Sequence, residues 1–319
     1  MKMKTGFFAL STLILFAAGC KTTETKPVPW KKQSAYLAKV RDPRVCGFDI
    51  YQTPKGIEYR GGSRVHANQG AVLPMKAEEP SRPVVMMMSG KFGLATPVLL
   101  DFSTPLSWLE FDLAGDLGAT PVSERDAQLV KMPGDEFASC VSAVPAMKFK
   151  SLLIEFPLVH TRMATGPLGQ PARGIEKPEL KGVVGWEQLR KFEQIQLDYG
   201  KKQVLLSTAK NIYSPDPAQV IARIPLVKYV GACTVRGAVN GKESLILIDP
   251  AGDFEVATDD ASPVASMQLD ADILFSAPAV VKSSGGTRIG AQLLSKYRIT
   301  ICPQAGFIYF EKPDAGKTE

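Results

Sequence analysis

The chain has 319 residues, 45% hydrophobic and 22% charged, a balance that excludes an intrinsically disordered protein and allows one large core or two smaller ones. Its 27 glycines and 24 prolines separate short apolar segments, which favours β structure over long helices. Much of the positive charge behind the net +6 lies near the start of the chain, so no nucleic-acid-binding surface is indicated. The lysines of that region are Lys2, Lys4, Lys21, Lys26, Lys31 and Lys32.

Residues 1–20 are typical of a signal peptide. Lys2 and Lys4 precede an apolar run, GFFALSTLILFAAGC, that is too short to span a membrane comfortably and ends in small residues before Cys20. The AAGC ending resembles the lipobox of bacterial lipoproteins, which implies that Cys20 carries a lipid anchor. Lys21, where an aspartate commonly retains lipoproteins at the inner membrane, implies the outer membrane facing the periplasm. The alternative is an ordinary secretory signal in which Cys20 is incidental.

The next segments indicate how the chain is divided. Residues 21–43 are polar, basic and broken by prolines, which predicts a tether before the folded part. YQTPKGIEYRGG predicts a hairpin, and VVMMMSGKFGLATPVLLDF predicts two apolar strands around a glycine-containing turn. The proline-bearing segment NIYSPDPAQV divides the chain near its middle. We therefore expect a first lobe over 44–213, a second over 214–312 and a tail over 313–319.

The two predicted lobes contain an internal repeat. VVGWEQLRKFEQIQLDYGKKQVLL, residues 183–206, and RIGAQLLSKYRITICPQAGFIYF, residues 288–310, each run from an apolar–glycine element through a short amphipathic helix to a β-hairpin. Gly185 of the first copy aligns with Gly290 of the second. Each copy is preceded by strand, tight turn and strand, and NGK in the second is a favoured hairpin turn.

Both of these earlier hairpins end in an aspartate. The first gives LLDFSTPLSW with Asp101, and the second gives LIDPAG with Asp249. Together with VVG and RIG, they make the chain after about residue 80 resemble the aspartic peptidases of the pepsin and retropepsin type. Trp108, seven residues after Asp101, also has a counterpart in the N-terminal lobe of pepsin-like enzymes. The resemblance implies an all-β fold of two related barrel-like lobes, each with one short helix, facing each other across a cleft.

The same resemblance implies a catalytic pair of carboxylates. Asp101 and Asp249 would share one proton, so that one activates water while the other polarises the scissile carbonyl of an extended peptide. Gly185 and Gly290 would pack beneath this pair and allow close backbone approach. A peptide or protein substrate is then the expected partner.

The motifs depart from the family where the carboxylates need support. Phe102 and Pro250 replace the Thr or Ser whose hydroxyl locks the two loops together, and Ser103 and Ala251 replace the glycine beside each carboxylate. Because both hydroxyl–glycine pairs are lost, the sequence argues against efficient hydrolysis. Two functions follow from it: a membrane-anchored homologue that binds extended peptides between its lobes, and a non-enzymatic scaffold or protein-interaction module of the same fold.

Simpler explanations exist for these and other motifs. An aspartate before Ser-Thr-Pro or Pro-Ala-Gly is also ordinary turn chemistry, in which the side chain binds nearby amides. STAK, residues 207–210, fits the Ser-x-x-Lys pattern of penicillin-recognising enzymes but lacks their partner motifs. His160 is expected in a strand of the first lobe and not as a base.

Export would place the remaining cysteines in an oxidising compartment, where disulfides are allowed, so we expect either structural thiols or one to two bridges. These cysteines are Cys46, Cys140, Cys233 and Cys302. The lobe architecture implied by the resemblance favours a Cys233–Cys302 bridge, which leaves Cys46 with Cys140. The cysteine spacing matches no zinc motif, and His66 and His160 are the only histidines. We therefore predict no metal and no cofactor, and a monomer.

Overall fold

The computed structural model describes residues 25–53, 56–77, 81–89, 93–122, 129–131, 136–166, 168, 180–210, 213–227 and 231–313. The predicted all-β fold of two lobes is confirmed, with 48% of the structure in strands and 11% in helices. The helices are α1 (Trp30–Leu37), α2 (Phe111–Asp116), α3 (Trp186–Leu189) and α4 (Ala291–Leu294), with a 3₁₀ turn at Pro43–Cys46.

The strands follow the chain in two groups. Up to the middle they are β1 (Lys26–Pro27), β2 (Phe48–Thr53), β3 (Gly56–Gly61), β4 (Arg64–Val65), β5 (Gly70–Pro74), β6 (Val84–Ser89), β7 (Leu94–Leu100), β8 (Ser107–Leu109), β9 (Thr120–Pro121), β10 (Val130–Lys131), β11 (Ala138–Ala143), β12 (Ala146–Phe149), β13 (Leu152–Glu155), β14 (Leu158–Arg162), β15 (Ala164–Thr165), β16 (Gly182–Val184), β17 (Gln194–Asp198) and β18 (Gln203–Ser207). Those that follow are β19 (Val220–Val227), β20 (Thr234–Val239), β21 (Lys242–Asp249), β22 (Val256–Thr258), β23 (Ser266–Asp270), β24 (Ile273–Ser276), β25 (Val280–Lys282), β26 (Arg288–Gly290), β27 (Arg298–Cys302) and β28 (Phe307–Glu311).

Two large sheets contain most of these strands. The first has eleven strands, in the order β10-β11-β14-β8-β16-β7-β6-β12-β13-β4 with β9 beside β11. The second has thirteen, in the order β25-β22-β26-β21-β20-β19-β28-β27-β17-β18-β5, with β23 and β24 attached through β20. The predicted hairpin of β2 and β3 forms in register and stands as a separate two-stranded sheet.

The sequence repeat corresponds to a repeated strand topology. In the first lobe β16 runs parallel to β7 and antiparallel to β8. In the second lobe β26 runs parallel to β21 and antiparallel to β22. In each lobe the strand that ends in or just before the aspartate therefore lies beside the strand that leads to the repeat glycine. The short helices α3 and α4 follow at equivalent places.

A shared sheet joins the two repeats. Its strand order, β5-β18-β17-β27-β28-β19, is symmetric, because each repeat contributes three strands in mirrored order. At its centre Gln196 pairs with Thr300, and the flanking pairs are Ile195 with Ile301 and Leu197 with Ile299. These four apolar side chains are fully buried. A pseudo-twofold axis thus passes through the Gln196–Thr300 pair.

The tether prediction was wrong for most of residues 21–43. Strand β1 pairs with β15, and the amide of Val28 donates to the carbonyl oxygen of Met163 at 3.0 Å. The hydroxyl of Tyr36, on α1, lies 2.9 Å from Oγ of Ser142. The segment is basic and polar on average, but Val28 and Tyr36 are buried anchors that average composition does not show. The predicted signal peptide with Cys20 lies outside the described residues, as do residues 314–319 of the predicted tail.

The disulfide predictions were also wrong. Cys46, Cys140, Cys233 and Cys302 are all free thiols. Cys233 precedes β20 and Cys302 ends β27, and in the sheet β19 and β28 lie between those strands. Three strand spacings of about 4.8 Å exceed the reach of a disulfide. Cys46 packs beside the Phe48 cluster, whereas Cys140 packs beside Tyr36. Burial raises the pKa of the Cys140 and Cys302 thiols to about 11, so they stay protonated at neutral pH.

Candidate functional site

Asp101 lies at the end of β7 with no exposed surface. Its Oδ1 accepts hydrogen bonds from the amide of Ser103 at 2.8 Å, from Oγ of Ser103 at 2.9 Å and from the amide of Thr104 at 3.2 Å. Its own amide donates to the carbonyl oxygen of Val184 at 2.9 Å. This is the turn chemistry of a strand-end aspartate, with Ser103 supplying a donor that the family's glycine lacks.

Asp249, the equivalent residue of the second lobe, is also fully buried but is held differently. Neither of its carboxylate oxygens accepts a hydrogen bond from any described donor. Its charged neighbour is Arg288 on β26, whose Nη1 lies 3.7 Å from Oδ2 of Asp249 and whose side chain is only 3% exposed. The guanidinium of Arg288 also donates to Oγ of Ser283 and to the carbonyl oxygen of Ser284. Asp249 is therefore a buried carboxylate compensated by a buried cation.

The residues after each aspartate are apolar and buried, and each contacts the other lobe. Phe102 has no exposed surface, and its ring centroid lies 6.0 Å from that of Trp186. The carbonyl oxygen of Phe102 accepts a hydrogen bond from the amide of Cys233, in the second lobe, at 2.7 Å. Ala251 and Pro250 are buried, and Ala251 packs into an apolar cluster of the first lobe. That cluster consists of Val84, Leu99, Trp108, Leu168, Leu180 and Val183.

The two repeat glycines allow close contact with the aspartate loops. A Cβ added to Gly185 would lie 2.6 Å from the carbonyl carbon of Leu106, and one added to Gly290 would lie 2.1 Å from the carbonyl oxygen of Phe254. Both distances are shorter than a Cβ tolerates, so each site accepts only glycine without a backbone shift.

The short helices are bonded to the same loops. The amide of Trp186, the first residue of α3, donates to the carbonyl oxygen of Thr104 at 2.7 Å. The amide of Ala291, the first residue of α4, donates to the carbonyl oxygen of Gly252 at 2.8 Å. Each acceptor stands three residues after its aspartate. The repeat thus conserves the support of the loops even though the residues beside the carboxylates have changed.

This arrangement limits the chemistry of the aspartates. A general base must reach the water or substrate whose proton it takes, directly or through one water. Asp101 and Asp249 both have 0% exposure. In this conformation neither carboxylate is exposed, so a substrate would reach them only if the junction opened. Among the described residues no group of three or more His, Cys, Asp or Glu side chains could hold a metal ion.

Sequence reasoning missed Arg288 and Ser107. Oγ of Ser107 accepts from the amide of Gly185 at 3.0 Å and donates to Oε1 of Gln188 at 2.8 Å, which ties β8 to the start of α3. The signal for Arg288 was in the repeat itself. RIG stands where the first copy has VVG, so a charged residue occupies the place of the buried Val183.

The other candidate residues lie away from this junction. His160 is in β14 and buried, 5.4 Å from the ring of Trp108, and desolvation lowers its pKa to about 4. It is therefore neutral at pH 7. Ser207 of the STAK segment ends β18 and does not begin a helix.

The comparisons with known proteins identify no family. No protein-family model matches the chain, and a search of curated proteins finds no match. In the part of the chain that the structure describes, no helix is both long and apolar enough to cross a membrane.

Proposed function

We propose that this chain is a non-hydrolytic interaction scaffold of the cell envelope, built on the two-lobed plan of the aspartic peptidases. In this proposal the two aspartates derive from a catalytic pair and now stabilise the junction between the lobes. The observation that carries the proposal is the complete burial of both carboxylates.

The residues around the aspartates support the same function. A working pair needs a carboxylate that is open to substrate and a hydroxyl that holds each loop. Here the residues beside the aspartates include Phe102 and Ala251, which are apolar, fully buried and in contact with the other lobe. Arg288 places a guanidinium 3.7 Å from the carboxylate of Asp249, at a position where the first lobe has the apolar Val183.

The ligand class that we propose is an extended segment of a partner protein. Strand β24 pairs only with β23 among the described strands, and Leu274 on it is 56% exposed. An extended peptide could add to such an edge through main-chain hydrogen bonds, which tolerate many sequences. In this proposal the peptide binds at β24 and not over the aspartates.

The test is an assay for hydrolysis beside a folding control. Residues 21–319 would be incubated with a mixed-sequence peptide library from pH 3 to pH 8, next to the double variant Asp101→Asn/Asp249→Asn. We expect no cleavage by either protein and a lower thermal midpoint for the variant. Cleavage by the unmodified chain that disappears in a variant of unchanged circular dichroism would overturn the proposal and establish an aspartic peptidase.

A further inference from the structure

We infer that α1 and the residues around it form a membrane-docking surface, which holds the first lobe against a bilayer of anionic phospholipid. The surface consists of Trp30 together with the cations of residues 25–41. It is independent of the aspartates and of any peptide bound at β24.

The charged side chains of residues 25–41 all have the same sign. Residues 25–41 contain five cationic side chains and no Asp or Glu. All five are exposed: Lys26, Lys31, Lys32, Lys39 and Arg41. A cluster of this size close to a lipid surface is attracted by the negative potential of anionic head groups.

The apolar element of the surface is Trp30. Its side chain is 71% exposed, whereas Trp108 and Trp186 are 7% and 5% exposed. An exposed indole next to lysines is costly in water but suits the head-group region of a membrane, where its ring and its N–H are both accommodated.

The folded body fixes the orientation of this surface. Tyr36 is buried on the inner side of α1, and its hydroxyl meets Ser142 and Thr161 of the first lobe. Nε2 of Gln33 donates to the carbonyl oxygen of Val28 at 2.7 Å, which fixes the start of the helix. Lys31 and Lys32 remain on the exposed side. Trp30, Lys31 and Lys32 are therefore exposed on a helix that Tyr36 fixes to the first lobe.

The position along the chain points to a membrane as the partner. Lys26 follows Cys20 by six residues, which span at most about 20 Å when fully extended. A lipid on Cys20, as proposed from the lipobox, would keep α1 near the same bilayer. The surface around α1 would then fix which side of the first lobe faces that bilayer.

The experiment uses the unlipidated chain, residues 21–319, which retains every residue that the structure describes. Vesicles of equal parts phosphatidylglycerol and phosphatidylcholine are compared with vesicles of phosphatidylcholine alone, by co-sedimentation and by tryptophan emission. Because Trp108 and Trp186 are buried, a blue shift on binding reports Trp30. We expect binding and a blue shift with the anionic vesicles only, both weakened by added salt.

Variants assign the binding to this surface. Lys31→Glu/Lys32→Glu should weaken partition onto anionic vesicles at least about tenfold, and Trp30→Ala should abolish the blue shift. The matched control is Lys242→Glu/Lys296→Glu, which makes the same charge change at exposed lysines of the second lobe. No binding to anionic vesicles, equal binding to both vesicle types, or an equal loss in the control would overturn the inference.

Discussion

A buried carboxylate needs either hydrogen-bond donors or a nearby cation, and the two aspartates of this chain meet that need in different ways. Asp101 takes three bonds from its own turn, in which Ser103 provides two of the donors. Asp249 has Arg288 at 3.7 Å and no described donor. Because a buried charge without compensation is strongly destabilising, the Arg288 side chain is important for keeping Asp249 buried.

This dependence predicts the effect of removing the cation. Arg288→Met should lower the free energy of unfolding by about 3–5 kcal/mol, because it leaves the Asp249 carboxylate buried and unpaired. Adding Asp249→Leu should recover much of that loss, since an apolar pair needs no compensation. Urea denaturation measures both. As a control, Arg236→Met removes an exposed pair with Glu243, in which the side chains are 69% and 73% exposed, and should have little effect. Equal losses at the two arginines would contradict this account.

His160 predicts a pH dependence of stability. Desolvation lowers its pKa from 6.5 to about 4, so the unfolded chain binds a proton that the folded chain does not between these values. The contribution of His160 to the free energy of unfolding is complete above pH 6.5 and is lost as the pH falls toward 4. The total loss is about 3 kcal/mol. The difference between the thermal midpoints at pH 7.5 and pH 4.5 should be smaller in His160→Leu than in the unmodified chain. The same change at the exposed His66 is the control. An unchanged pH response in His160→Leu would exclude His160 as the cause.

Among the elements, the N-terminal arm, which comprises β1, α1 and the residues up to 41, is part of the fold. Tyr36→Phe removes the hydroxyl shared with Ser142 and Thr161, and should cost about 1–2 kcal/mol. Tyr36→Ala also removes the buried ring and should cost about 3–5 kcal/mol. Trp30→Ala, at a side chain that is 71% exposed, should leave stability unchanged. Chemical denaturation measures the stability of all three variants. If their midpoints equalled that of the unmodified chain, the arm would be a tether and not part of the fold.

The elements that could be predicted from the sequence are those with a recognisable local motif. The aspartates, the repeat glycines and the NGK turn recur at equivalent places, and Asn240 and Gly241 adopt the positive φ angles of 50° and 75° that such a turn requires. Strand β5 has no such motif, because its sequence GAVLP is short and the strand that it pairs with, β18, is distant in the chain. The docking of the N-terminal arm was not predicted, because it depends on two buried side chains, Val28 and Tyr36, in a segment that is otherwise polar. The partner of Asp249 was missed because it lies on a different strand, 39 residues further along the chain.

At the scale of the whole molecule, the shared sheet decides whether the lobes are separate folding units. Strands β17 and β27 pair directly across the pseudo-twofold axis, so neither lobe completes its core without the other. Glu311 reinforces this sheet from a fully buried position. Its carboxylate accepts from Arg298 and Tyr213 at 2.8 Å and from Thr300 at 2.7 Å. Tyr213 belongs to the segment between the lobes, so that segment is bonded to the sheet as well.

We therefore predict one cooperative unfolding transition for both lobes. Trp108 and Trp186 are buried in the first lobe and report its unfolding by emission. Cys233 is buried in the second lobe, and burial raises the pKa of its thiol, so it reacts with a thiol reagent only when that lobe opens. Urea titrations followed by both probes should give one midpoint. Leu197→Ala, at the centre of the shared sheet, should lower both midpoints equally, because the cavity it leaves lies between the repeats. Separate midpoints would mean that each lobe is stable without the strands of the other.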